Sequence, residues 1–237
     1  MRDEKGEVMT FAMKTLSFFI FVGSCVPVLA QTLDGSDVAQ ALKRTIALGQ
    51  GLEQWQDLPQ YPVSLSNAAE PTPVASSGYY SVAWDDETLY ILGVFEQPQE
   101  TLLADLPSET SEWWTGDTLE VFVRSTSGAE KLHFAMNPSG TPFAEFTSSV
   151  NYQAVSQLEE TRWILEVAIP LNDVLPAVQV GDVWQFKVGR GYVSANEYSL
   201  WPNGGDFQGE TNFGTLYFTE SLENPEELYT RLAPGLE

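Results

Sequence analysis

Short runs of alternating apolar and polar residues recur along most of this chain, with turn residues between them. A period of two sends successive side chains to opposite faces of a strand, so the pattern demands a core between sheets rather than a helical bundle. Tyr79–Trp84 and Leu89–Glu96 form the clearest pair, a hairpin joined by Asp85-Asp86-Glu87-Thr88. Asp117–Thr126, Lys131–Asn137 and Thr141–Phe146 follow as a meander with Ser-Gly and Pro-Ser-Gly turns.

Further strands are expected at Tyr61–Ser66, Tyr152–Ser156, Trp163–Ile169, Val183–Val193 and Phe213–Phe218. Pro170 closes one of them, because proline cannot donate to a central ladder. Ala41–Ile46 reads as a first short strand, and Asp37–Leu48 also fits a helical turn capped by Ser36. Leu171–Leu175 is read as a helical turn, the glycine-rich segment Ser199–Asn212 as a long loop, and the tail from Glu223 as frayed. The expected fold is all-β: one antiparallel β-sandwich of about ten strands with few short helices. It spans residues 31–221, between a leader at 1–30 and an acidic tail at 222–237.

The leader is read from Met13, which the sequence offers as an alternative start. Lys14 precedes the apolar run Leu16–Val22, and Val28-Leu29-Ala30 supplies small residues before Gln31, the pattern of a secretory signal peptide cleaved after Ala30. Cys25 permits a competing reading as an acylated lipoprotein cysteine, with too short a leader before it. Either way the chain is expected to be exported. Eleven basic against 33 acidic residues give a net charge of −22, which repels phosphate backbones and anionic membranes and excludes nucleic acid as a partner. A single cysteine and a single histidine, His133, exclude an internal disulfide and a Cys/His zinc site.

Within this scaffold the stretch Trp113–Val123, W-W-T-G-D-T-L-E-V-F-V, carries the chemistry. Two tryptophans stand at the mouth of a strand, and a carboxylate, Glu120, follows within it. A flat apolar wall beside a hydrogen-bond acceptor suits a sugar ring, which has C–H groups on its face and hydroxyls on its rim. With no bulge, Glu120 shares its face with Thr118 and Phe122. The competing reading places the tryptophans in the core; Trp84, Trp163 and Trp184 are read as core and Trp55 as a plug.

Seven blocks, in order, resemble carbohydrate-binding modules of family 9, within the wider group of DOMON-like, jelly-roll-like sandwiches. They are Gly49-Gln-Gly-Leu-Glu-Gln-Trp55, Trp84-Asp-Asp-Glu-Thr-Leu-Tyr90, Trp114-Thr-Gly-Asp-Thr-Leu-Glu-Val-Phe122, Trp163-Ile-Leu-Glu-Val-Ala-Ile-Pro170, Gly181-Asp-Val-Trp184 through Arg190, Ser199-Leu-Trp-Pro202 and Phe213-Gly-Thr-Leu216. The resemblance implies a terminal sugar ring held between two aromatic walls, with acidic, basic and amide contacts to its hydroxyls, and calcium ions stiffening the loops. Trp114 matches the first wall, Phe207 the second and Glu120 the acidic partner. Ala135 stands where the family has an arginine, and Leu48-Gly49 where it opens with Asp-Gly.

Asn137, Arg190, Trp201 and Trp113 complete the candidate sugar contacts. For Arg190 the alternative is a buried ion pair or carbonyl cap, and for Trp201 it is packing of its loop. Asp85 and Asp86 are candidate calcium ligands, or a solvated turn. The sequence has no nucleophile elbow, zincin, P-loop or dinucleotide motif, and the expected role is non-catalytic. Two other readings stay open: a haem b electron-transfer domain with Met136 and Lys187 as axial ligands, and a surface adhesion or assembly module.

Overall fold

The computed structural model describes residues 37–68, 70–104, 113–125, 129–144, 152–172, 175–202 and 205–235. The leader and the two readings of Cys25 lie outside these residues. Thirteen strands are present among the described residues: β1 Val38–Lys43, β2 Tyr61–Pro62, β3 Leu65–Ser66, β4 Gly78–Trp84, β5 Thr88–Glu96, β6 Thr118–Arg124, β7 Leu132–Met136, β8 Pro142–Ala144, β9 Gln153–Leu158, β10 Arg162–Pro170, β11 Val183–Tyr192, β12 Glu197–Trp201 and β13 Gly214–Thr219. They form one sheet in the order β8-β7-β6-β11-β13-β1-β4-β5-β10-β9, with β12 beside β11 and β3, and β2 beside β4.

The sheet is mixed, which corrects the antiparallel expectation. β1 runs parallel to both its neighbours, β13 and β4, while the other ladders are antiparallel. The reason is general: alternation reports which face a side chain takes and is the same for either strand direction. The β4–β5 hairpin forms as expected. The Asp85 carboxylate accepts from the Glu87 and Thr88 amides at 3.0 and 2.9 Å, and from the Tyr90 hydroxyl at 2.9 Å.

The core alternates strictly. Leu119, Val121 and Val123 of β6, Trp184, Phe186 and Val188 of β11, and Trp163, Leu165, Val167 and Ile169 of β10 all enter one cluster. Phe186 reaches the Tyr80 ring of β4 at 5.8 Å, and Phe95 packs on Trp163 at 4.6 Å. Every other residue of β5, namely Tyr90, Leu92 and Val94, is buried on the opposite face beneath Ile46, Trp55 and Leu58. Trp55 is buried there, covering the face of β5 turned away from the main core, and not at the end of the sandwich. Its indole N–H donates to Glu166 at 2.7 Å, and the other oxygen of Glu166 accepts from the Gly49 amide at 2.6 Å.

Leu171 and Leu175, read as the ends of a helical turn, form a parallel bridge instead, and two further segments differ from expectation. The tail is not frayed throughout: Pro225–Leu232 forms helix α1, whose Asn224 N-cap accepts from the Glu226 and Glu227 amides. Leu228 seats the helix on Val38 and Tyr217. Residues 199–201 of the expected loop belong instead to β12, which pairs with β11.

Candidate functional site

The face of β6, β7 and β11 away from the core carries Glu120 and the residues around it. β6 and β11 pair without a bulge, so Thr118, Glu120 and Phe122 lie opposite Gly191, Gly189 and Lys187. β7 sets Ala135 beside Glu120 and His133 beside Phe122. Two glycines thus form a floor next to a carboxylate. A Cβ at Gly191 would come within 2.7 Å of the Thr118 hydroxyl, and one at Gly189 would overlap the edge of the Phe207 ring. Gly189→Ala is therefore expected to displace Phe207. We expect an overpacking cost of about 1–3 kcal/mol, read as a shifted denaturation midpoint together with weaker ligand binding.

Glu120 is nearly buried, and its two oxygens are oriented from two sides. Oε1 accepts from the Thr118 hydroxyl at 3.1 Å, and Oε2 lies 2.9 Å from His133 Nε2. The His133 ring is itself stacked on Phe122 at 4.1 Å. An ionised carboxylate offers about four lone-pair sites, so acceptor capacity remains for two hydroxyls.

Trp114 lies in the 3-10 turn Trp113–Thr115 that leads into β6. Trp114 as a residue is 54 % exposed, whereas Trp55, Trp84, Trp163, Trp184 and Trp201 are 4 % exposed or less. The Trp113 side chain lies outside the described residues. Phe207 is 9 % exposed and packs with Phe122, Leu200 and Phe213.

Two other candidates, Arg190 and Trp201, are placed away from this face, whereas Asn137 follows the last residue of β7 on the outward parity of His133 and Ala135. Arg190 shares the core parity of Trp184, Phe186 and Val188. Its guanidinium donates to the Ser76 and Glu96 carbonyls at 2.6 and 2.8 Å and to Gln97 Oε1 at 3.3 Å. Burial draws its pKa down to about 10, with the Asp117 carboxylate pulling the other way. Trp201 packs in the core against Tyr80 and Tyr61, at 5.2 and 6.0 Å. Asn137 is buried at the end of β7, where its Oδ1 accepts from the Thr141 amide at 2.9 Å.

The Asp85–Asp86 turn holds its two carboxylates on protein partners. Both Asp85 oxygens are used within the turn, and Asp86 pairs with Lys43 at 2.8 Å. No cluster of three or more His, Cys, Asp or Glu side chains suited to a metal occurs among the described residues. The haem reading fails on geometry. Met136 faces the core and Lys187 the outer face, so the two cannot ligate one iron.

The family model for carbohydrate family 9 binding domain-like proteins matches residues 49–190. The chain belongs to that family. It is also similar in structure to a family 9 carbohydrate-binding module from Caldicellulosiruptor kristjanssonii, solved with glucose and with cellotriose. The glucose complex aligns with a TM-score of 0.59 at 16 % identity, over 79 % of this chain and 98 % of the other. The cellotriose complex aligns with a TM-score of 0.61 at 15 % identity, over 79 % and 96 %. No curated protein matches the sequence.

In this family 9 chain the sequence pattern singles out Trp114 and Glu120 but misses three neighbours. The roles of His133, Lys187 and the Gly189–Gly191 floor depend on cross-strand register. One signal was available: His133, Lys187 and Gly189 all carry the outward parity of their strands.

Proposed function

We propose that this family 9 chain is an exported, non-catalytic protein that binds the end of a saccharide on the outer face of β6, β7 and β11. The observation that carries the reading is the exposed Trp114 at the head of the strand that holds Glu120. Trp114 is the stacking wall, Glu120 accepts from ring hydroxyls, and Phe207 bounds the ring above Gly189. Export rests on the sequence of the leader. Among the described residues no helix is long and apolar enough to cross a membrane.

The energetics favour weak capture. Each stacking contact supplies about 0.5–1.5 kcal/mol beyond area burial. A charged acceptor supplies about 1.5–3 kcal/mol, and association costs at least about 4 kcal/mol. The resulting Kd is tens of micromolar to millimolar in order of magnitude.

Glucose and cellotriose, the sugars bound to the similar C. kristjanssonii module, are the first probes. In Trp114→Ala, calorimetric binding of cellotriose is expected to fall roughly tenfold or more. Stability should stay within about 0.5 kcal/mol of wild type, as for an exposed position. A large loss of stability with intact binding would instead make Trp114 a packing residue and defeat the proposal.

A further inference from the structure

The loop that carries Phe207 is held by cations it does not itself contain. Beyond residue 30 this chain has eight lysines and arginines, and three of them converge on Asp206–Thr211. Arg124 of β6 and Lys131 both pair with Glu210, at 2.5 and 2.9 Å, and Lys131 also donates to the Gln208 carbonyl at 2.8 Å. Those three contacts are made at the surface. Lys187 differs: it rises from β11 beneath the loop and is fully buried.

Its Nζ lies 3.3 Å from the Asp206 carbonyl oxygen, 3.5 Å from that of Phe207, 3.0 Å from that of Gly209 and 3.4 Å from that of Thr211. The Phe122 and Phe213 rings flank it, with centroids at 5.5 and 4.6 Å. An ammonium has three N–H donors and no acceptor, so four inward carbonyls and two ring faces surround it as they would a small monovalent cation. The loop closes on itself above this point. The Gly209 amide donates to the Asp206 carbonyl at 3.1 Å, and the Gln208 amide to Asp206 Oδ1 at 3.0 Å.

We infer that Lys187 is a positioning residue of the saccharide site, a tethered cation around which Asp206–Thr211 wraps so that Phe207 is fixed over Gly189. The inference rests on the site proposed above for the saccharide, which Lys187 itself does not touch. Burial, with Lys131 and Arg124 nearby, draws the Lys187 pKa down to about 8, against the pull of Asp206 and Glu210. Without the carbonyl cage, a charge placed there would be uncompensated.

Lys187→Met keeps the bulk of the side chain and removes the charge. Its amides at Gln208 and Gly209 are expected to lose hydrogen-exchange protection while the β6–β11 ladder keeps its own, and cellotriose affinity should fall about tenfold. Lys187→Ala leaves a cavity shaped for a small cation. Ammonium chloride should restore loop protection and affinity to it, and tetramethylammonium chloride should not. Glu210→Gln, which loosens only the surface contacts, should weaken binding less than Lys187→Met.

Wild-type affinity and loop protection in Lys187→Met, equal rescue by both salts, or a larger effect from Glu210→Gln would each overturn the inference. If Lys187→Met fails to fold, the ammonium series on Lys187→Ala decides. If the wild-type protein binds no cellotriose, the saccharide reading falls, while exchange and ammonium rescue still decide whether Lys187 positions the loop.

Discussion

Replacing Arg190 with methionine is expected to cost about 3–5 kcal/mol of folding stability while leaving the saccharide affinity of the folded protein unchanged. The guanidinium ties β11 to the opposite layer through the Ser76 and Glu96 carbonyls and Gln97 Oε1. The Phe95 and Tyr192 rings lie 5.3 and 5.0 Å from it. Gln97 is in turn bound to the buried Asp117 at 2.6 Å, and Asp117 also accepts from the Leu103 and Val193 amides at 2.8 Å each. Methionine fills the volume and supplies no donor. It leaves two carbonyls short of a donor and removes the positive charge that interacts with the buried Asp117 carboxylate, which is why the cost exceeds that of a lost surface contact. A fall in the urea midpoint at constant slope measures the effect. Unaltered stability combined with lost cellotriose binding would instead make Arg190 a ligand contact.

Arg190 also shows how far parity can be read without coordinates. Trp184, Phe186, Val188 and Arg190 share one parity along β11, and the first three are evidently apolar. The fourth therefore had to face the core, although its type invited a ligand role. Most strands, the β4–β5 hairpin and the common face of Thr118, Glu120 and Phe122 were legible in the same way. Strand direction was not, because β1 alternates identically whether its neighbours run parallel or antiparallel. Helix α1 was legible in principle: Asn224-Pro225-Glu226-Glu227 is an N-cap followed by proline and acidic residues in the first turn. The acidic composition of the tail masked it. The His133–Glu120 contact and the carbonyl cage of Lys187 were beyond reach. Both arise from which residues stand opposite across strands and from how a glycine-rich loop folds back, and neither has a local signature.

Glu120→Gln should produce the reverse of the Arg190 result, with affinity for cellotriose lowered roughly 10- to 100-fold and stability nearly unchanged. The amide keeps the shape of the side chain, so the contacts with Thr118 and His133 can be remade with one oxygen and one nitrogen. The carboxylate has two oxygens already turned by those neighbours, with lone pairs remaining for two hydroxyls. The amide has one oxygen and two N–H groups, so a hydroxyl that donated to the lost oxygen now meets a donor. The remaining contact also loses its charge assistance, worth about 1.5–3 kcal/mol. Calorimetry on the same preparation used for thermal unfolding separates the two quantities. If Glu120→Gln lowers stability and leaves affinity alone, the Glu120–His133 pair is a structural tie on the outer face, and the saccharide contacts must lie elsewhere around Trp114.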